Sequence, residues 1–182
     1  KIYMTKIEEI RDELKKAANP EKAKILRGFF KTGWGQYGEG DIFLGVIVPE
    51  TRKIAVKYSE IENKHVEVLL NSKIHEERLA GLLILVNNFS KGDERIKKEI
   101  YEFYLKHRHG VNNWDLVDLT ADKIVGNYLF DRDKSILYSF ARTNKLWERR
   151  IAIVSTYAFI KRNEFLDALQ ISEILLHDKE DL

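Results

Sequence analysis

The chain has 182 residues, 44% hydrophobic and 33% charged, with a formal net charge of +2, a balance that suits one domain with a continuous core and charged helix surfaces. The absence of cysteine excludes disulfides and thiolate metal sites. No apolar run reaches the length of a membrane span, because Ile74–Phe89 is broken by His75, Glu76, Glu77 and Arg78, and Lys1-Ile2-Tyr3-Met4 carries no signal-peptide core, so a cytoplasmic location is expected.

Taken in chain order, the sequence reads as helix after helix, with only Pro20 and Pro49 to interrupt. Thr5 with Glu8 has the pattern of a capping box for a helix to about Ala18, its stripe being Ile7, Ile10, Leu14 and Ala17. Asn19-Pro20 caps a second helix through Phe30. Gly33–Asp41 follows as a loop with four glycines, and then Ile42–Val48, a short apolar run readable as buried extended chain or as helix.

Further helices are predicted at 50–58, 63–71, 74–89, 93–108, 113–129, 133–142, 145–161 and 164–177. Candidate caps are Asn63, Ser72, Asp93, Asn113, Asp131 or Asp133, Asn144 and Asn163. Helix pairs recurring every ~35–40 residues favour an all-α solenoid of HEAT-like repeats over a compact bundle.

Charge is unevenly spread. Residues 132–162 hold eight basic side chains against Asp133 and Glu148, and 163–182 hold six acids against one lysine. Such polarity suits a basic face for a polyanion, or reflects helix surfaces that happen to cluster.

Asn112–Asp118 carries the strongest chemical signal. With Asn113 as N-cap, Trp114, Val117, Ala121, Ile124, Val125 and Tyr128 form an apolar stripe. Asp118 falls about 80° from the stripe's centre, against about 140° for Asp115 and about 120° for Asp122. A carboxylate beside an indole at a core edge is costly unless paired or used, which makes Asp118 a candidate for chemistry. In Leu146-Trp147-Glu148-Arg149-Arg150, the helix is expected to bury Trp147, Ile151, Val154, Tyr157 and Ala158. Arg150 projects inside that apolar arc, where it either offers a planar fork to phosphate or pairs with Asp118 or another acid.

The glycine loop lacks both nucleotide-binding glycine signatures, so it reads as a tight loop carrying Trp34 and Tyr37, rings that touch DNA or, by preference, cover the first helix pair. His107-Arg108-His109 has no acidic or thiol partner at metal-ligand spacing and reads as solvated helix-end histidines.

These segments resemble the DNA alkylation repair family, bacterial alkylpurine DNA glycosylases built from HEAT-like repeats. The likeness rests on Phe29–Gly40 leading into Phe43-Leu44-Gly45-Val46, on Pro49-Glu50-Thr51-Arg52, on Asn112–Asp118 and on Leu146–Ile153, in the family's order. It implies a curved α-solenoid with a concave basic face, formed as one domain over 1–182 that lacks the family's further C-terminal helix pair. It also implies a monomer acting on double-stranded DNA with N3- or N7-alkylated purines, without metal or other cofactor.

On that resemblance Trp114, Asp118 and Arg150 form the catalytic set. Asp118 stabilises positive charge growing on the deoxyribose and orients water, Trp114 packs against the sugar, and Arg150 holds a phosphate. Arg149, Lys145 and Trp147 extend the DNA contact. The alternative is a noncatalytic HEAT-like module for branched or damaged DNA.

Overall fold

The computed structural model describes residues 5–182; the reading of Lys1–Met4 lies outside the described residues. The chain divides into two compact units, Lys1–Asn88 and Phe89–Leu182. Among the described residues, secondary structure is helical apart from an isolated parallel bridge between Ile42 and Ile74, as expected of an all-α protein.

The first unit holds α1 (Lys6–Lys16), α2 (Pro20–Phe29), α3 (Val48–Lys57), α4 (Asn63–Leu70) and most of α5 (His75–Lys91). The capping box forms: Thr5 Oγ1 accepts from Glu8 N at 3.3 Å, and Glu8 Oε2 accepts from Thr5 N at 2.6 Å. Asn19 caps α2 through Lys22 N at 3.0 Å. Ile10, Leu14, Val66, Leu69 and Leu70 are buried where α1 packs on α3 and α4.

The run Ile42–Val48 is extended until α3 begins at Val48, and its polar partners come from Asn19, from Lys73 and from the start of α5. Ile42 N donates to Lys73 O at 3.0 Å and His75 N to Ile42 O at 2.9 Å. The Glu76 carboxylate accepts from three successive amides, those of Leu44 (3.0 Å), Gly45 (2.8 Å) and Val46 (3.2 Å). Gly45 has φ +83°, and a Cβ there would stand 2.1 Å from Asn19 O, so glycine is required.

The four charged residues that seemed to break an apolar run are therefore not a solvated face. His75, Glu76, Glu77 and Arg78 are all buried. Asp41 accepts from Arg78 Nη2 at 2.7 Å and lies 3.2 Å from His75 Nδ1, while Glu77 meets Arg11 Nε at 3.0 Å. Since Leu79, Ala80, Leu82, Leu83, Ile84 and Leu85 are also buried, α5 is enclosed on all sides, and charges at its start need internal partners.

The second unit contains α6 (Glu94–Lys106), a 3₁₀ turn (Arg108–Gly110), α7 (Trp114–Asp118), a π-helical turn (Asp122–Gly126), α8 (Asn127–Leu129), α9 (Ser135–Ala141), α10 (Leu146–Ser155), α11 (Tyr157–Ile160) and α12 (Leu166–Leu175). α10 packs against α7, α9, α12 and the π turn. Leu116, Val117, Ala121, Ile124, Val125, Ile151 and Ala152 are fully enclosed there.

The predicted helices 113–129 and 145–161 are both interrupted. In the first, Gly126 N donates to Ala121 O at 2.9 Å, five residues back, which defines the π turn. Gly126 also lets α10 approach, since a Cβ there would lie 2.1 Å from Ser155 O. In the second, the hydroxyls of Ser155 and Thr156 bond back to Ile151 O and Ile153 O, each at 2.6 Å, and the helix breaks at Thr156. Asp93 and Asn113 cap as predicted, through Ile96 N and Trp114 N, each at 2.9 Å. Asn63 and Asn144 do not: Glu62 and Lys145 hold those cap positions, with no side-chain cap bond. Asn163 instead takes a left-handed conformation, φ +63°, ahead of α12.

Candidate active site

The second unit brings together the two residues that spacing singled out. Asp118 ends α7 and Arg150 lies on α10, 32 residues later. Arg150 Nε donates to Asp118 Oδ1 at 2.9 Å and Nη2 to Oδ2 at 2.7 Å, a planar two-bond fork. The third guanidinium nitrogen, Nη1, donates to the carbonyl of Leu182. The Asp118 side chain is 35% exposed and that of Arg150 19%. The pairing reading of Arg150 thus describes this structure, and all three of its nitrogens are engaged.

Asp118 is not the most enclosed acid of its segment. Asp115 and Asp122 are buried, contrary to the order that an unbroken helix with one apolar stripe gives. The cause is packing on more than one side: α10 lies against α7, and α6, α10 and α11 lie against the turn that begins at Asp122. Asp115 Oδ1 accepts from Leu116 N at 2.8 Å, and Asp122 Oδ2 accepts from Lys161 Nζ at 2.8 Å. Both are occupied structurally, whereas Asp118 retains solvent access.

Trp114 opens α7 one turn before Asp118 and is partly buried, as is Tyr128 at the far end of the predicted stripe. Trp147 is likewise only partly buried and Tyr157 is exposed, so the arc expected on the 145–161 helix is confined to Ile151 and Val154 on α10 and Ala158 on α11.

The expected DNA-contact residues fall into two places. Arg149 and Arg150 line a cavity of about 270 Å³ with Ile153, Ser172 and Asp178, and Arg149 Nη2 donates to Asp178 Oδ1 at 3.0 Å. That guanidinium holds the Asp178 carboxyl below its usual range, aided by the Glu180 amide. Lys145 and Trp147 instead line a cavity of about 390 Å³ with Lys106, Arg108, His109 and Asn112.

Glu148, which the sequence shows only as an acid opposing the basic residues of 132–162, lines that second cavity. It is buried, accepting from Arg108 Nε at 2.8 Å and from Lys145 Nζ at 3.2 Å. Burial pushes its carboxyl upward, but the bonds from Arg108 and Lys145 together outweigh this and hold it below the usual range. The available signal was its place between Trp147 and Ile151 on a helix that packs on several neighbours. His107 is not solvated either: it is buried, its ring 4.3 Å from that of Phe103. Among the described residues no three His, Asp or Glu side chains converge as metal ligands.

The positive charge of residues 132–162 is largely compensated by acids, Glu148 within the segment and five others elsewhere in the unit. Arg132 pairs with Glu94, Lys134 with Asp167, Lys145 with Glu148, Arg149 with Asp178, Arg150 with Asp118 and Lys161 with Asp122. The excess seen along the sequence is therefore not a bare basic surface.

Trp34 corrects a further expectation. It does not cover the first helix pair but stands 93% exposed. No helix of the described residues is long and apolar enough to cross a membrane. No curated protein is similar enough to be matched with the chain. A family model described as DNA alkylation repair enzyme matches residues 10–182.

Proposed function

Because the chain belongs to the DNA alkylation repair enzyme family, we propose that it is a DNA glycosylase releasing N3- or N7-alkylated purines from duplex DNA. In this reading its helix pairs are HEAT-like repeats of a single domain over 1–182 that acts as a monomer. The observation that carries the proposal is the Asp118–Arg150 fork, a carboxylate fixed in plane yet 35% exposed.

An alkylated purine is cationic and leaves as a neutral base, so the C1′–N bond needs little acid assistance. Positive charge grows on the deoxyribose as that bond stretches, and a preorganised carboxylate stabilises it. A carboxylate offers about four lone-pair sites, and the Arg150 fork uses two. The remaining sites on Asp118 face the sugar and a water. That water adds at C1′ and gives up a proton to the carboxylate, leaving an abasic site and the free base. Arg150 acts here as the positioning residue, Trp114 supplies an aromatic wall one turn from the carboxylate, and Arg149, Lys145 and Trp147 contact the DNA around it.

The test is single-turnover release of 7-methylguanine from methylated duplex DNA. Asp118→Asn is expected to slow release at least about 100-fold while leaving the fold intact, in line with the usual contribution of such a group. Equal rates for both proteins remove Asp118 from the chemistry. A second reading is favoured by the engagement of all three Arg150 nitrogens by Asp118 and the Leu182 carbonyl, a structural role for the pair: a noncatalytic module for branched or damaged DNA. Tight binding by the wild type with no base release establishes that reading instead.

A further inference from the structure

The glycine loop and the outer face of α2 remain outside the proposed chemistry, yet they hold an unusual combination. Trp34 is 93% exposed, and Ile25 and Phe29 on α2 are 68% and 61% exposed. Tryptophan is ordinarily much more enclosed, and three large exposed apolar side chains on one loop and one helix mark an interaction surface.

The exposure of Trp34 does not come from slack chain. Gly33 N donates to Gln36 Oε1 at 2.9 Å, Gly35 N to Glu39 Oε2 at 2.8 Å, and Gly38 N to Lys31 O at 3.1 Å. Gly35 and Gly40 have φ of +72° and +85°, and a Cβ on Gly38 would lie 2.3 Å from Phe30 O. The glycines therefore tie the loop to the end of α2 and hold the indole outward.

Charge identifies the partner. Lys22, Lys24, Arg27 and Lys31 follow one another with no acid between Glu21 and Glu39. All four are exposed, and among the described residues none forms an ion pair, in contrast to the compensated segment 132–162. At about 100° per residue, Ile25 and Phe29 form a strip around α2, with Lys22 along one edge and Lys24 about 120° from its centre beyond the other, while Arg27 lies on the opposite side of the helix. Between strip and second edge lies Gly28, where an added Cβ would meet nothing within 4 Å. Uncompensated cations flanking exposed rings match a polyanion whose units carry flat apolar faces.

In a duplex those faces are stacked away, so an indole held outward serves bases that are already unstacked. We propose that this surface of the first unit binds single-stranded DNA, Trp34 and Phe29 stacking on bases while Lys22, Lys24 and Lys31 follow the phosphates. The proposal takes DNA as the ligand from the functional reading above but does not depend on chemistry at Asp118.

The experiment measures binding of the full chain to a short oligo(dT) and to a covalently closed duplex without ends, across a salt series. Trp34→Ala is expected to weaken oligo(dT) binding about tenfold and leave the closed duplex unchanged, with Trp34→Phe close to wild type. Lys22→Gln with Lys24→Gln should flatten the salt dependence by about 1.4 in log–log slope. The proposal fails if the wild type does not bind oligo(dT), if Trp34→Ala binds it equally well, or if both DNAs lose affinity alike. It also fails if Trp34→Ala weakens only binding to phosphatidylglycerol vesicles, which would make the surface membrane-facing. Release of 7-methylguanine from a methylated form of the closed duplex, followed on the same proteins, reports separately on Asp118: its absence in the wild type overturns the glycosylase reading and leaves the oligo(dT) result standing.

Discussion

Glu76→Gln isolates the device that holds the extended segment of the first unit. The wild-type carboxylate accepts from the amides of Leu44, Gly45 and Val46 while almost fully buried, at 2% exposure. Hydrogen bonds to a charged acceptor contribute roughly 1.5–3 kcal/mol each and neutral ones about 1 kcal/mol. Glutamine keeps the shape and one acceptor oxygen, but removes the charge and turns a donor toward the amides. Allowing for the bond that Leu44 N shares between both oxygens, the loss should be about 2–3 kcal/mol. Two measurements read it. With a urea slope of ~2 kcal/mol/M, the midpoint of the far-ultraviolet dichroism transition should fall by about 1–1.5 M. Amide exchange at Leu44, Gly45 and Val46 should speed up roughly 30–150-fold, the same free energy expressed as an equilibrium constant. Unchanged protection of those three amides, with a midpoint within about 0.3 M of wild type, would refute the idea that this carboxylate organises the segment.

Two more predictions concern the second unit. Gly126→Ala places a methyl 2.1 Å from Ser155 O and 2.8 Å from the Ala158 Cβ. The clash should outweigh the ~1 kcal/mol gain in helix propensity and leave the variant about 1–2 kcal/mol less stable. Equal or greater stability in urea would mean α10 can shift at no cost. Glu148, whose folded carboxyl lies below its ordinary value of 4.5, contributes stability that is present above that pH and lost as pH falls through the lower folded value. The wild type should therefore lose urea resistance more steeply than Glu148→Gln below about pH 4.5, and parallel curves would remove Glu148 from the acid transition.

The readable parts of the fold were those written in local chemistry. Thr5 with Glu8, Asn19, Asp93 and Asn113 act within three residues of themselves, so their roles follow from spacing. The pairing of Asp118 with Arg150 was legible as one of two alternatives, because both side chains sit at the edge of apolar faces. Three features were hidden for different reasons. Charged residues default to solvent, so the enclosed set at His75–Arg78 was legible only through the unbroken apolar run behind it. Helical periodicity assumes constant phase, so it could not register the π turn or the Ser155-Thr156 break. Counting charges along a sequence ignores acids from distant segments, which is why 132–162 seemed bare while Lys22–Lys31 drew no notice.

The π turn at Asp122–Gly126 also means that the second unit contains a stored register choice. Such a turn accommodates one residue more than an α-helix needs over the same rise, and each residue is worth about 100° of rotation. The Trp114–Asp118 turn is thereby offset from the helix that follows it, like two segments of a camshaft set at different angles. The face that carries Asp118 toward solvent and Arg150 is set apart from the face beyond the turn that carries Leu129 into the core. The acid can thus stand open without tilting the packing below it.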